Sequence, residues 1–421
     1  MSAAAAPASA WTCPFCALLC DEFALETGGA RPVLQGSECP RAREALAAHA
    51  DTDPTAALAR IDGAEATLAQ ALGAAAQRLA GWRQPLFAGL GTDVAGARAL
   101  YRLAERTGAI CDTAGSSGLM HGLRALQDRG QYTATLAEVR TRAEVVVCVG
   151  TPANVRHPEF FRRIGIGTAG SPCRALVFLD TAVPTGLPAA PAVQFVTGNG
   201  ELFDDLQQLA ALVARQQVRE PAAALQALAE TLLQSRYSVL VWEPGALPPH
   251  GALLAECLQR IVATLNRGTR AATLALGGDD GAATVNQVHT WLSGLPVRTR
   301  NGPLGLEHDP WRFDAARLME DDAVDGLLWL SSFDPARIPP DACGRLPRIV
   351  IAPPAAWSRL RGVLPPADEV FLPVATPGLT APGHLFRTDG IVVVPLEPVR
   401  SDGLPGASEL LARLAAGLGT A

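Results

Sequence analysis

The feature that most constrains the fold is a series of short, unbroken apolar runs separated by segments with helical spacing. The runs are PLFAGLG at 85–91, EVVVCVG at 144–150, RALVFLD at 174–180, SVLVWE at 238–243, TLALGG at 273–278 and GLLWLSS at 326–332. None alternates apolar with polar residues, so neither face of such a strand is left for water, which is the pattern of buried parallel strands. Between them, Leu202, Leu206, Leu209 and Val213 recur at helical spacing, as do Leu225, Leu228 and Leu232, and 66–82 reads as a further helix. Helices that cover both faces of a parallel sheet give doubly wound α/β domains. A chain of 421 residues exceeds one ordinary core, and its 48% apolar content is ample to fill two. The predicted layout is a small Cys-rich module at 1–50, a discontinuous α/β domain at 51–165 and 330–421, and an inserted Rossmann-like α/β domain at 166–329.

Charge excludes several functions. The formal net charge of -6 offers no basic field to draw in a nucleic acid. All 35 basic residues are Arg and none is Lys, which removes P-loop phosphate binding and Schiff-base catalysis, since both need a lysine amine. The opening ten residues carry no basic region followed by an apolar stretch, and no run approaches a membrane span. A cytoplasmic protein is expected, in which the nine cysteines serve as thiols or metal ligands rather than disulfides.

Four of those cysteines stand together. WTCPFCALLCDEF and SECPRA place Cys13, Cys16, Cys20 and Cys39 in the pattern C-x2-C-x3-C-x18-C. One tight loop can wrap three corners of a cubane while a later turn supplies the fourth, so the spacing points first to a [4Fe-4S] cluster. Zinc is the competing metal, because four thiolates also close a tetrahedral site, and four unligated thiols are the third reading. The remaining five cysteines are scattered and read as core material.

An N-terminal loop of this kind ahead of α/β domains resembles the start of the molybdopterin and tungstopterin oxidoreductases, such as formate dehydrogenases. The block GAICDTAGSSGLMHGLRALQDRGQYTATLAEVRTRAEVVVCVGTPANVRHPEFFRR at 108–163 narrows this. It resembles the B subunit of formylmethanofuran dehydrogenase in Asp112, Thr113, Ala114, His121, Gly122, Ala125, Leu126, Gln127, Asp128 and the pair His157-Pro158. The closing block at 371–399 resembles that family around Thr376, Pro377, Gly378, Gly383, Arg387 and Asp389. The resemblance implies a formate-dehydrogenase-like fold without the C-terminal pterin-binding barrel.

The departure from the family decides the expected function. In catalytic members the loop before His-Gly carries a Cys that binds molybdenum or tungsten; here it is Gly115, Ser116, Ser117, Gly118, Leu119 and Met120. Hydroxyl and thioether groups are poorer donors than a thiolate to such a metal. Ser116, Ser117 and His121 therefore mark a degenerate pterin-metal loop, and molybdopterin or tungstopterin is expected to be absent. The pattern resembles the bacterial formyltransferase/hydrolase complex of one-carbon metabolism, which takes formyl-tetrahydromethanopterin to formate through a methanofuran-type carrier. The chain would be its non-redox structural subunit, with no catalytic residue of its own. Its partners would be the A subunit, which is the formyl hydrolase, the C subunit, and the D subunit, which is the formyltransferase, with neither nucleic acid nor membrane. The competing reading is an active B subunit of formylmethanofuran dehydrogenase holding a pterin metal through Ser116, Ser117 or no protein ligand. A third is a docking module for the carrier's acidic tail, using Arg156, Arg162, Arg163 and Arg387. The strand-turn-helix at 86–103 and the GGDD at 277–280 read as structural turns rather than phosphate sites.

Overall fold

Every apolar run named above becomes a strand, and most of these lie in parallel sheets, because continuous Val, Leu and Phe side chains find cover on both faces only there. The computed structural model describes residues 9–27, 32–50, 57–188, 192–198, 200–344, 346–363 and 368–419. The first eight residues, on which the reading of the N-terminus turns, lie outside these.

In chain order, β1 (Ser9–Trp11), β2 (Phe23–Glu26) and β3 (Val33–Gln35) form a small antiparallel sheet. The hairpin of β4 (Ala59–Ile61) and β5 (Ala64–Ala66) follows, then β6 (Pro85–Gly91) and β7 (Ile110–Cys111). An inserted stretch carries β8 (Val145–Val149), β9 (Ala175–Leu179), β10 (Ala192–Val196), β11 (Tyr237–Trp242) and β12 (Arg270–Ala275). The chain closes with β13 (Thr299–Gly302), β14 (Gly305–His308), β15 (Gly326–Ser331), β16 (Arg348–Ala352), β17 (Glu369–Pro373), β18 (Gly383–Phe386) and β19 (Val393–Leu396).

Two compact units result, one from 1–116 with 278–421 and the other from 117–277. The outer unit holds a nine-stranded sheet in the order β14-β13-β7-β6-β15-β16-β17-β4-β5. Its central strands β7, β6, β15, β16 and β17 are parallel, and antiparallel hairpins close both edges. One face is filled by Leu86, Leu327, Val350 and Phe371. The inserted unit is a five-stranded, wholly parallel sheet, β10-β9-β8-β11-β12. Val147, Val177 and Leu240 meet Leu206, Leu209, Leu228 and Leu258 from the helices Leu202–Val213, Ala223–Gln234 and Gly251–Leu265, so the helical spacing in the sequence is the face that covers this sheet.

The boundaries differ from the expected 166–329. The run at 144–150 was expected to lie in the outer domain, but β8 is the central strand of the inserted sheet, paired in parallel with β9 and β11. Residues 278–329, expected within the insertion, instead supply β13, β14 and β15 to the outer sheet. The Cys-rich segment groups with the outer unit rather than standing apart. Among the described residues no helix is long and apolar enough to cross a membrane.

Candidate functional site

The four cysteines of the N-terminal pattern are all buried, each at most 7% exposed. The loop that carries three of them closes on itself: the Cys13 N–H donates to the Cys20 carbonyl at 2.9 Å and the Leu19 N–H to the Cys16 carbonyl at 3.1 Å. The turn needs a left-handed residue, and Leu19 supplies it with φ of 46°. Cys39 sits just before the helix Pro40–Ala50, whose first position is proline, and its carbonyl accepts the Arg43 N–H at 3.2 Å. Cys39 thus stands at the positive end of a helix dipole.

Distant segments hold this loop in place. The Trp11 indole N–H donates to the Gly378 carbonyl at 2.7 Å, and the Thr388 N–H donates to the Ala17 carbonyl at 2.8 Å. Phe15 stacks on His49, whose Nε2 lies 2.8 Å from the Phe333 carbonyl oxygen. The closing block of the sequence thus packs against the cysteine loop, which gives its family-like residues a physical role.

The charged groups around the loop come from the GGDD turn. Asp279 accepts the Ala17 N–H with one carboxylate oxygen at 2.9 Å and the Arg41 guanidinium with the other, also at 2.9 Å. Asp280 pairs with Arg337 at 2.5 Å and with Arg41 at 3.7 Å. Burial pushes the Cys13 and Cys16 thiols well above their ordinary pKa; Asp279 adds to the rise at Cys16, while Arg41 opposes it at both. Burial raises Asp280 to about 6 against the pull of Arg337 and Arg41. Burial also works against the charge on Arg41, but Asp279 and Asp280 outweigh it and hold the guanidinium above its ordinary value. Among the described residues no group of three or more His, Cys, Asp and Glu side chains is arranged to hold a single metal ion.

The same turn fills the end of the neighbouring strand. A Cβ on Gly91 would lie 2.4 Å from the Asp280 carbonyl oxygen, and one on Gly281, whose φ is 82°, would lie 2.4 Å from that of Thr92. Only glycine allows the two backbones to approach so closely. The helix Val94–Thr107 has its first amides satisfied internally, since Asp93 accepts the N–H groups of Ala95 and Gly96 at 3.3 and 3.0 Å. The glycines at 89–96 therefore serve a close-packed turn.

The three residues of the degenerate loop have different surroundings. The helix Ser116–Arg129 begins at the boundary between the two compact units. Ser116 is buried, and its hydroxyl accepts Arg298 Nη2 at 2.8 Å. Arg298, itself 4% exposed, is held by Asp112 at 3.3 Å and by Asp314. Asp112 in turn accepts the Ala315 N–H at 3.0 Å; burial raises its pKa to about 6 although Arg298 opposes the rise. Ser117 is exposed, and His121 packs against Gly251, where a Cβ would come within 2.7 Å of its ring. A Cβ on Gly118 would lie 2.6 Å from the backbone nitrogen of Gly245, so this helix is pressed onto the segment that follows β11. Arg41, Asp279, Asp280 and Arg298 carry the electrostatics here, and the sequence reading passed over all four as site residues. The local signals were Arg41 standing two residues after Cys39 and the paired carboxylates of GGDD.

Of the four arginines suggested for carrier docking, Arg162 and Arg387 are ion-paired within the chain. Arg162 pairs with Glu159, and Arg387 reaches Asp389 at 2.5 Å.

The fold and site together define an α/β protein of two parallel-sheet units, one of which holds a buried four-thiol site braced by acidic and basic side chains. Comparison with models of protein families gives no match. The chain is 33% identical over 285 residues to the B subunit of the formyltransferase/hydrolase complex Fhc of Methylorubrum extorquens, across 66% of this chain and 75% of that one. It is 22% identical over 329 residues to the B subunit of the tungsten-containing formylmethanofuran dehydrogenase 2 of Methanococcus maripaludis, across 74% of each. Among solved structures it resembles a chain of the formyltransferase/hydrolase complex from Methylorubrum extorquens, crystallised with methylofuran. The TM-score is 0.74 and the identity 31%, over 86% of this chain and 98% of that one. The chain belongs to the family of B subunits of formyltransferase/hydrolase complexes, which is related to the B subunits of formylmethanofuran dehydrogenases.

Proposed function

We propose that this chain is the non-redox structural subunit of a formyltransferase/hydrolase complex. The complex moves a formyl group from formyl-tetrahydromethanopterin to a methanofuran-type carrier and releases it as formate. Formyl transfer and hydrolysis move no electrons, so the chain has no need of the family's pterin metal. One observation carries the reading: the loop at 115–120 has no thiol, and its buried hydroxyl, on Ser116, is already taken up by Arg298 at 2.8 Å. A guanidinium within hydrogen-bonding distance of that oxygen competes with any high-valent cation for the same lone pairs and repels it. Molybdopterin and tungstopterin do not fit this donor set.

The partners in this reading are the formyl hydrolase (the A subunit), the C subunit and the formyltransferase (the D subunit), in the cytoplasm. The family membership and the likeness to a complex crystallised with methylofuran support that assembly. Cys13, Cys16, Cys20 and Cys39 fit a [4Fe-4S] cluster by donor type, burial and loop closure, with Arg41 as a nearby cation. When bound, such a cluster supplies a four-point crosslink of the N-terminal segment and a one-electron centre. The chain's own residues do the rest: Asp279 holds the loop at Ala17, and the closing block holds it at Trp11 and Ala17.

Elemental analysis of the intact, anaerobically purified complex tests the reading. The expected result is iron without molybdenum or tungsten, and no methyl-viologen-coupled oxidation of formate. Stoichiometric tungsten or molybdenum in this chain overturns the non-redox assignment, and zinc in place of iron overturns the cluster assignment alone.

A further inference from the structure

We infer that Arg41 and Asp279 are positioning residues of opposite electrostatic effect on the four-thiol site, clamped to each other so that the site's net charge is fixed by the GGDD turn. The inference rests on the iron-sulfur reading of Cys13, Cys16, Cys20 and Cys39.

Three observations lead to it. Asp279 uses both carboxylate oxygens, one on the Ala17 amide inside the cysteine loop and one on Arg41 Nη1, each at 2.9 Å. A single side chain thus ties the loop to the cation two residues beyond the fourth cysteine. The pair is enclosed: the Asp279 side chain is 12% exposed and that of Arg41 27%, so their fields are weakly screened by water. Arg41 is held from a second side by Asp280, which Arg337 neutralises at 2.5 Å. The guanidinium therefore cannot swing away into solvent without breaking two ion pairs. As a turn that merely ended a strand, 277–280 would have no need of two carboxylates converging on a cation beside Cys39.

Cluster potentials follow net charge and hydrogen bonding around the sulfurs. Reduction adds one electron to a core already made anionic by four thiolates. A fixed cation nearby stabilises the reduced form, and a fixed carboxylate destabilises it. Arg41→Gln should therefore lower the potential and Asp279→Asn should raise it, while Arg41→Lys keeps the charge and stays near the wild type. A tenfold change in the one-electron equilibrium, about 59 mV, is the expected size for each of the first two. A purely structural role would move both in the same direction, through a loosened loop, or would move neither.

The experiment is a dithionite titration followed by electron paramagnetic resonance, on the anaerobically purified complex containing wild-type chain, Arg41→Gln, Arg41→Lys or Asp279→Asn, with iron per chain measured on each sample. Opposite shifts with equal iron content support the inference, as does loss of iron from Arg41→Gln with full retention in Arg41→Lys and a raised potential in Asp279→Asn. Shifts of the same sign, or none, with the wild-type cluster intact, overturn the inference and leave the iron-sulfur reading standing. A wild-type complex without iron refutes the iron-sulfur reading and this inference with it.

Discussion

The outer and inserted units are built on the same plan, a parallel sheet whose strand order reverses in the middle, yet they use buried charge differently. In the inserted unit a hydrocarbon layer covers the sheet, and in the charge cluster of Glu144 with Arg174 and Arg236 the two guanidiniums face water, 68% and 90% exposed. In the outer unit charges run through the interior. Arg348 and Glu369 form an ion pair at 2.7 Å with both side chains 1% exposed, and Arg361 closes on the same carboxylate. Arg298, Asp112 and Ser116 form a second such group. The inserted unit's buried acids Asp205 and Glu243 are held by backbone N–H groups and by a Thr151 hydroxyl, whereas the unit that carries the thiol loop buries whole ion pairs. Buried ion pairs add little net stability but are costly to break. The outer unit should therefore be the brittle half of the molecule, and the following expectations can break that contrast.

The largest effect is expected at Glu369. Glu369→Gln removes the charge that faces the buried Arg348 at 2.7 Å and releases Arg361, which stacks over Trp357 at 4.2 Å with Arg60 over the same ring at 4.6 Å. Breaking one side of a buried pair typically costs about 3–5 kcal/mol. Urea unfolding followed by limited proteolysis should show the outer unit's fragments released first, at distinctly lower denaturant than in wild type. A loss below about 1 kcal/mol would mean that water reaches the pair and that the contrast between the units is false.

Much of this architecture was legible in the sequence. PLFAGLG coincides with β6, and the runs at 144–150, 174–180, 238–243, 273–278 and 326–332 all contain or overlap strands, because an uninterrupted apolar run of that length has nowhere else to go. β16 and β17 escaped notice: RIVIA and EVFLP each include an ion-pairing residue, Arg348 and Glu369, that is polar in the sequence and buried in the fold. The insertion point was misplaced because the sequence marks strands but not their neighbours, and β8 could have continued either sheet. For the site, the four cysteines were legible from spacing. Their electrostatic setting was not, since Asp279 meets Ala17 across 262 positions and no local pattern announces such a contact. GGDD does form a turn, as read, but what the turn holds is known only once the chain is folded.

An intermediate effect is expected from His289, again in the outer unit. It is 2% exposed, neither ring nitrogen has a hydrogen-bond partner among the described residues, and it meets Tyr101 edge-on at 5.3 Å beside a cavity of about 10 Å³. Burial lowers its pKa from 6.5 to about 4. The unfolded chain then binds a proton between those values that the folded chain does not, so the stability is fully present above pH 6.5 and lost as pH falls to 4. At about 1.4 kcal/mol per unit the loss is about 3 kcal/mol. Denaturation at pH 7 and pH 4.5 should show a steeper acid loss in wild type than in His289→Leu, which has no proton to gain. Parallel acid profiles for the two would show that the imidazole is hydrated and partnered, and would remove one of the outer unit's buried polar burdens.

The smallest effect belongs to the inserted unit and sharpens the comparison from the other side. Glu144 accepts the Arg236 N–H at 3.0 Å, that residue's Nε at 2.5 Å and Arg174 Nη2 at 2.5 Å, and with the Arg236 amide and guanidinium as the leading causes its carboxyl is held down at about 2. Its folded pKa lies below its unfolded one, so the contribution is present above about pH 4.5 and fades as pH falls towards 2. The large shift does not translate into large stability. The cover over Glu144 is the two arginines themselves, whose heads stand in water, and ion pairs in that setting are worth about 0–1 kcal/mol. Glu144→Gln keeps the shape and most of the hydrogen bonds, so the unfolding free energy from urea denaturation at pH 7 should change by less than this upper limit, and high salt should weaken the wild type towards the variant. A cost approaching that of Glu369→Gln would show that this cluster is desolvated too. Brittleness would then be a property of the whole chain rather than of the half that holds the four-thiol site.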